Sequence, residues 1–266
     1  MADTDVVKHD LKTTANAAEM NWEEYTEGVP FPSGRRDPSF EADQLNYTPP
    51  VTTRVSDEEL ITAPYRSVGR MGLVIGGAKK TASGWVGARR AFFTAGHCVF
   101  HPDYGGWITR AGFGPRYNNG VDTAFTVATV YTLKGWVDSK NWVYDMAACV
   151  VTKNFAATEP PLKYQDGIFP PGKFTAIGYP IRPIPHYDFN GERMWKCVGE
   201  FIKESEDMWW AANNMTAGAS GGPWCDNENE TTVYGLTSKR KDDSEVAFSP
   251  ILLNGFENLY NAVKDL

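Results

Sequence analysis

The sequence predicts an all-β protein in two halves, closed by a short C-terminal helix. The chain has 266 residues, 42% hydrophobic and 22% charged, enough to bury a core in one large or two small domains. Its 25 glycines and 17 prolines favour turns over long helices. From Ile61 onward, short apolar runs alternate with Gly, Pro, Asn or Asp roughly every ten residues, the rhythm of strands in a sandwich or barrel.

Residues 1–60 stand apart. They hold 13 Asp and Glu against 5 Lys and Arg, whereas residues 61–266 hold 20 against 21. With Pro30, Pro32, Pro38, Pro49 and Pro50 they read as an acidic arm or pro-segment, which Trp22, Tyr25, Phe31 and Phe40 would pin to the body. A disordered tail is the alternative. Opposite charge would dock the arm on Lys239, Arg240 and Lys241, within a loop reading Ser238-Lys239-Arg240-Lys241-Asp242-Asp243.

Strands are expected over residues 71–75, 84–86, 91–94, 124–132 and 146–152 in a first unit, 61–158. Glu159-Pro160-Pro161 links it to a second unit, 159–266, with strands at 174–178, 195–202, 208–211, 232–237 and 246–248. Only residues 250–266 carry helical spacing, through Leu252, Leu253, Phe256, Leu259, Tyr260 and Val263 behind Pro250. No fixed-period repeat interrupts the pattern.

A formal charge of -7 excludes a generally basic nucleic-acid binder, and no apolar run reaches the ~18 residues of a spanning helix. Neither nucleic acid nor membrane is therefore expected as a partner. The opening MADTDVVKHD lacks the basic start and apolar centre of a secretory signal, which leans towards an intracellular protein, or a secreted one if a leader was removed. Asn46-Tyr47-Thr48, Asn214-Met215-Thr216 and Asn229-Glu230-Thr231 are glycosylation-type triplets that point the other way.

Three segments carry chemistry. In Ala91-Phe92-Phe93-Thr94-Ala95-Gly96-His97-Cys98-Val99 an apolar strand runs into small residues and a histidine, leaving the imidazole facing a cleft. In Tyr144-Asp145-Met146-Ala147-Ala148-Cys149-Val150-Val151 a carboxylate heads an apolar strand, where burial calls for a dedicated partner. Asp122 and Asp138 are rival carboxylates. In Met215-Thr216-Ala217-Gly218-Ala219-Ser220-Gly221-Gly222-Pro223-Trp224, glycines let the backbone bend so that the N–H groups of Gly218 and Ser220 converge on one point.

The order His, Asp, Ser and the Thr-Ala-Gly-His-Cys form resemble trypsin-like serine peptidases. Spacings of 48 and 75 residues, Pro64-Tyr65-Arg66-Ser67-Val68-Gly69-Arg70 and Ile177-Gly178-Tyr179-Pro180 are similar to the bacterial and fungal glutamyl-endopeptidase-like branch. The resemblance covers residues 64–266 and implies two six-stranded antiparallel β-barrels of chymotrypsin type, with the site between them.

It further implies a serine endopeptidase acting on proteins or peptides. Ser220 would be the nucleophile, His97 the general base and acid, and Asp145 the group orienting the imidazole. Gly218 and Ser220 would form the oxyanion hole, and Ser238 would lie on the strand lining the substrate backbone. Asn214, Thr237 and Glu245 would shape the specificity pocket. No cofactor or metal is implied. The competing reading is a catalytically silent binding or scaffold protein on the same fold. An α/β-hydrolase esterase would need Gly-x-Ser-x-Gly within a strand-turn-helix and the order Ser, Asp, His, and neither that setting nor that order is read here.

Departures from the family pattern bear on specificity and redox state. Ala219 replaces the Asp by which digestive members bind a new N-terminus, so that zymogen switch is absent and a different pro-segment mechanism is the alternative. Thr237 replaces the His of strict glutamyl-specific members. Cys98 lacks its usual partner in Thr81-Ala82-Ser83-Gly84, and with Cys149, Cys197 and Cys225 it is as readily a thiol as half of a disulfide. Gly72-Leu73-Val74-Ile75-Gly76-Gly77 resembles a nucleotide loop but reads as the first strand and its turn. His97 and His101 lack the further ligands zinc needs.

Overall fold

The computed structural model describes residues 2–12, 16–30, 46–120, 123–165, 167, 172–205, 207–226, 231–241 and 244–266. The first half contains strands β1 (Val6–Asp10), β2 (Val51–Arg54), β3 (Val68–Ile75), β4 (Ala78–Ala88), β5 (Ala91–Thr94), β6 (Phe100–His101), β7 (Gly106–Trp107), β8 (Arg110–Pro115), β9 (Phe125–Leu133) and β10 (Ala147–Val151). Helix α1 (Lys134–Ser139) separates the last two. The second half contains β11 (Lys163–Tyr164), β12 (Lys173–Gly178), β13 (Trp195–Ser205), β14 (Met208–Ala212), β15 (Pro223–Asp226), β16 (Thr232–Leu236), β17 (Lys239–Arg240), β18 (Val246–Pro250) and α2 (Phe256–Val263).

Strands β9-β10-β5-β4-β3-β8 pair in that order, and β8 returns to β9, closing a six-stranded antiparallel barrel. The alternation of β3 sends Met71, Leu73 and Ile75 into its core. Gly76 and Gly77, with φ of 56° and 80°, supply the two left-handed residues of the tight turn into β4. In the second half β16-β15-β12-β13-β14-β18-β17 form a curved sheet. Because β17 follows β16 after only Thr237 and Ser238, and Ser238 N–H donates to Phe248 O at 3.0 Å, the sheet rolls back on itself.

The acidic segment is woven into both sheets. β1 adds to the outside of β9, with Val6 opposite Leu133, and β2 adds to β13, with Arg54 opposite Trp195. Between them Ala17, Met20, Trp22, Tyr25 and Val29 are buried on the first barrel. Two glycines make the face flat enough to receive them. A Cβ on Gly72 would meet Met20 at 2.9 Å, and one on Gly112 would meet Met20 Sδ at 2.6 Å and Ala17 at 2.8 Å. Phe31 and Phe40 lie outside the described residues.

Several described acids of this segment pair with bases of the body. Glu24 pairs with Lys79, Glu27 with Lys80, Glu59 with Lys196, and Asp57 lies 3.8 Å from Arg193. Lys239 stands over the Trp142 ring at 5.0 Å. The fully buried Arg70 ties three segments together. Its guanidinium donates to Tyr25 O at 2.6 Å, Thr81 Oγ1 at 3.1 Å and Glu192 at 2.9 Å, and stacks over Tyr117.

The C-terminal helix is shorter than its apolar spacing predicts. Pro250 ends β18, Leu252–Asn254 form a 3-10 turn, and Gly255 at φ 115° breaks the chain before α2 starts at Phe256. Leu253 is left in solvent at 65% exposure. α2 packs on the first barrel, where Phe256 meets Phe93 at 4.6 Å and Trp85 at 6.1 Å. No disulfide joins the four cysteines, all of them buried. No helix among the described residues is long and apolar enough to cross a membrane.

Candidate active site

His97 sits in the 3-10 turn Gly96–Cys98 that leaves β5. Gly96 is required by closeness: a Cβ there would lie 3.0 Å from Asp145 Oδ1 and from the Trp136 ring. Asp145 follows the turn Trp142–Tyr144, immediately before β10, so neighbouring strands of one barrel bring the two residues together.

Asp145 is fully buried and receives three donors. His97 N–H reaches Oδ1 at 2.6 Å, His97 Nδ1 lies 2.9 Å from Oδ2, and the Ser238 hydroxyl donates to Oδ2 at 2.5 Å. This compensates a carboxylate whose burial alone would cost several kcal/mol. It also fixes the imidazole with Nδ1 towards the carboxylate, while Nε2 is buried. Burial opposes protonation of His97, but Cys98 and Asp145 outweigh it and hold the imidazole above its ordinary value. Of the rival carboxylates, Asp138 pairs with Lys134 on α1 and is half exposed. Asp122 is outside the described residues.

Ser220 comes from the loop between β14 and β15 of the second sheet, and its backbone is pressed against the first barrel. Ser83 N–H donates to Ser220 O and Ser83 Oγ to Gly218 O, both at 2.8 Å, while Thr94 Oγ1 donates to Ser83 O at 2.8 Å. Gly221, at φ 82°, allows this contact, since a Cβ there would fall 2.5 Å from Ser83 O and 2.7 Å from Ala95 N. Ala95 is two residues from His97, and Gly221 N–H donates to Thr237 O at 2.7 Å, next to Ser238. Gly218 is left-handed at φ 94°. Neither its N–H nor that of Ser220 donates to an acceptor among the described residues, while the Ala219 N–H between them donates to Thr216 O at 3.1 Å.

The residues expected at the specificity pocket divide. Asn214 is buried, and its Oδ1 accepts from Thr52 Oγ1 at 2.5 Å and faces Cys197 Sγ at 3.7 Å. Thr237 is turned away, its hydroxyl accepting from Trp224 Nε1 at 2.9 Å. Glu245 lies close enough to Tyr47 and Cys197 for its charge to help raise both, after burial as the main cause. Arg240 reaches the same place, donating to Ser244 O at 2.8 Å and to Asn214 O at 3.4 Å. The direct bond of Ser238 to Asp145 and the bracing by Ser83 and Thr94 were not legible in sequence, because hydroxyls carry no motif of their own. Among the described residues no cluster of His, Cys, Asp or Glu could hold a metal.

No protein-family model matches the chain, and no curated protein matches it in sequence. Its three-dimensional structure is similar to that of the protease Anisep from Arthrobacter nicotinovorans, at TM-score 0.69 and 23% identity over 81% of this chain and 100% of that one. This chain has the chymotrypsin fold. The same fold relates it to a Glu endopeptidase, at TM-score 0.68 and 19% identity over 81% of this chain and 97% of the other. A scabies mite inactivated protease paralogue also shares the chymotrypsin fold, at TM-score 0.56 and 15% identity over 79% and 98%. That last likeness separates fold from activity, which rests on the site residues.

Proposed function

We propose that the protein is a serine endopeptidase. The observation that carries this reading is the buried Asp145 carboxylate shared by His97 and Ser238, with the Ser220 loop bonded through Gly221 N–H to Thr237 O, the residue before Ser238. In the proposed reaction His97 Nε2 takes the Ser220 proton as Oγ attacks the peptide carbonyl. The carbonyl oxygen, now negative, lies against the N–H groups of Gly218 and Ser220. His97 then passes the proton to the leaving amine, and water, activated by the same imidazole, releases the acyl group from Ser220. Asp145 keeps its charge throughout and favours the imidazolium that forms between the two steps.

The substrate class is a peptide bond in a protein or peptide, entered along the strand of Ser238. No cofactor has a part in these steps. A fluorophosphonate probe should label wild-type protein at Ser220 and leave Ser220→Ala unlabelled, with peptidase activity lower by about 10⁶-fold in the variant. An Ala variant that keeps a few per cent of the activity overturns the assignment.

A further inference from the structure

The acidic segment passes over the proposed site. Residues 27–30 run beside β4: Thr81 N–H donates to Glu27 O at 2.7 Å and Val29 N–H to Thr81 O at 3.2 Å, a parallel bridge centred on Gly28. Gly28 lies so close to the oxyanion loop that a Cβ would sit 2.5 Å from Gly218 N and 2.8 Å from Ala217. Val29 is fully buried. The Pro30 carbonyl then accepts from His101 Nε2 at 2.9 Å, four residues beyond His97.

This path has a side. The acyl part of a substrate is assigned to the second barrel, beside Asn214 and Ser238. Across Ser220 lies the first barrel, with Lys80, Thr81 and His101, and there the part of the substrate after the cut must leave. Residues 27–30 fill that position with backbone bonds of the kind a substrate strand would make. Glu27 adds a side-chain contact, an ion pair with Lys80, whose own side chain is only 8% exposed.

We propose that residues 27–30 are a built-in strand seated on the leaving-group side of the cleft, and that Lys80 there receives an acidic side chain, so protein substrates with an acidic residue after the cut compete with this strand. The inference rests on the serine-peptidase reading. A charge-matched competitor gains where a neutral one does not, because the site already holds a cation largely withdrawn from water.

The test compares wild type with Glu27→Lys and with the exchanged pair Glu27→Lys/Lys80→Glu. One substrate is a nitrophenyl ester with nothing beyond the leaving group, the other a peptide extended three residues past the cut with Glu among them. Glu27→Lys should raise kcat/KM for the extended peptide about threefold over the ester, the size of a weakened surface ion pair, and the exchanged pair, which re-forms the strand's ion pair and sets a carboxylate against the substrate's Glu, should bring it to the wild-type level or below. Equal change on both substrates, or none, overturns the proposal.

A second readout does not need turnover. Hydrogen exchange at the Val29 amide should quicken when a short Glu-containing peptide is added and not when its Gln counterpart is. Equal exchange with both peptides overturns the docking. A protein inert to fluorophosphonate would sink the peptidase reading alone and leave this exchange result to decide the strand.

Discussion

The Ser238 hydroxyl lies 2.5 Å from Asp145 Oδ2, the same carboxylate oxygen that meets His97 Nδ1 at 2.9 Å. A residue of the second sheet therefore helps hold a His–Asp pair built by the first barrel. Ser238→Ala leaves that oxygen with one donor fewer in a dry site. A hydrogen bond to a charged group contributes about 1.5–3 kcal/mol, so kcat/KM should fall at least about tenfold. Steady-state kinetics on a peptide substrate checks this, with circular dichroism to confirm an unchanged fold.

The acid limb of the pH profile follows from His97. Its proton must be lost before it can act as base, and Cys98 and Asp145 hold that proton more tightly than water would. Activity should therefore rise with pH through a midpoint above the ordinary imidazole value of about 6.5. Asp145→Asn removes the carboxylate, so the midpoint should move to lower pH as the residual rate drops by about 10⁴-fold. A kcat/KM profile flat from about pH 5 to 8 counts against His97 as the base.

Trp22 and Tyr25 are buried on the first barrel, and Tyr25 O accepts from the buried Arg70. Trp22→Ala opens a void under that contact and should cost about 3–5 kcal/mol. Thermal or urea unfolding measures it. By the same reasoning, deleting residues 1–30 should lower stability as well as change activity, since it takes an edge strand and several core side chains away together.

On the proposed peptidase reading, specificity before the cut is expected to turn on the two charges near Asn214. Arg240 reaches the Asn214 carbonyl at 3.4 Å, and Glu245 influences Cys197 and Tyr47 nearby. With the Thr237 hydroxyl taken by Trp224, the cation is the better placed of the two to meet a substrate side chain. A peptide library should show an acidic preference that weakens in Arg240→Ala. A Lys or Arg preference lost in Glu245→Gln would reverse the assignment.

The barrel strands were legible where β-branched and aromatic residues crowd together, as in residues 91–94 and 174–178, which match β5 and β12. β8 was not, because Ala111-Gly112-Phe113-Gly114-Pro115 reads as a turn. Its glycines serve packing: Gly112 receives Met20, a residue far away in sequence. β1 and β2 were hidden for a related reason. Their edge positions expose charged and polar side chains on one face, so their composition looked like an unstructured arm. The helix α1 was too short to show a period. The contact of His97 with Asp145 was anticipated from an aspartate ahead of an apolar strand, whereas Ser238 was placed on the substrate strand with no hint of its bond to Asp145.

The pairing of Val6 with Leu133 also sets an order of assembly. Nothing in the first strand can find its place until the whole of Phe125–Leu133 has been synthesised and has taken up its own register. Until then Trp22, Tyr25 and Met20 stay beside a half-built wall, and that long wait is the costliest loop closure of the first barrel. A ribosome releasing this chain would thus leave Val6–Asp10 without its sheet neighbour until Phe125–Leu133 has emerged.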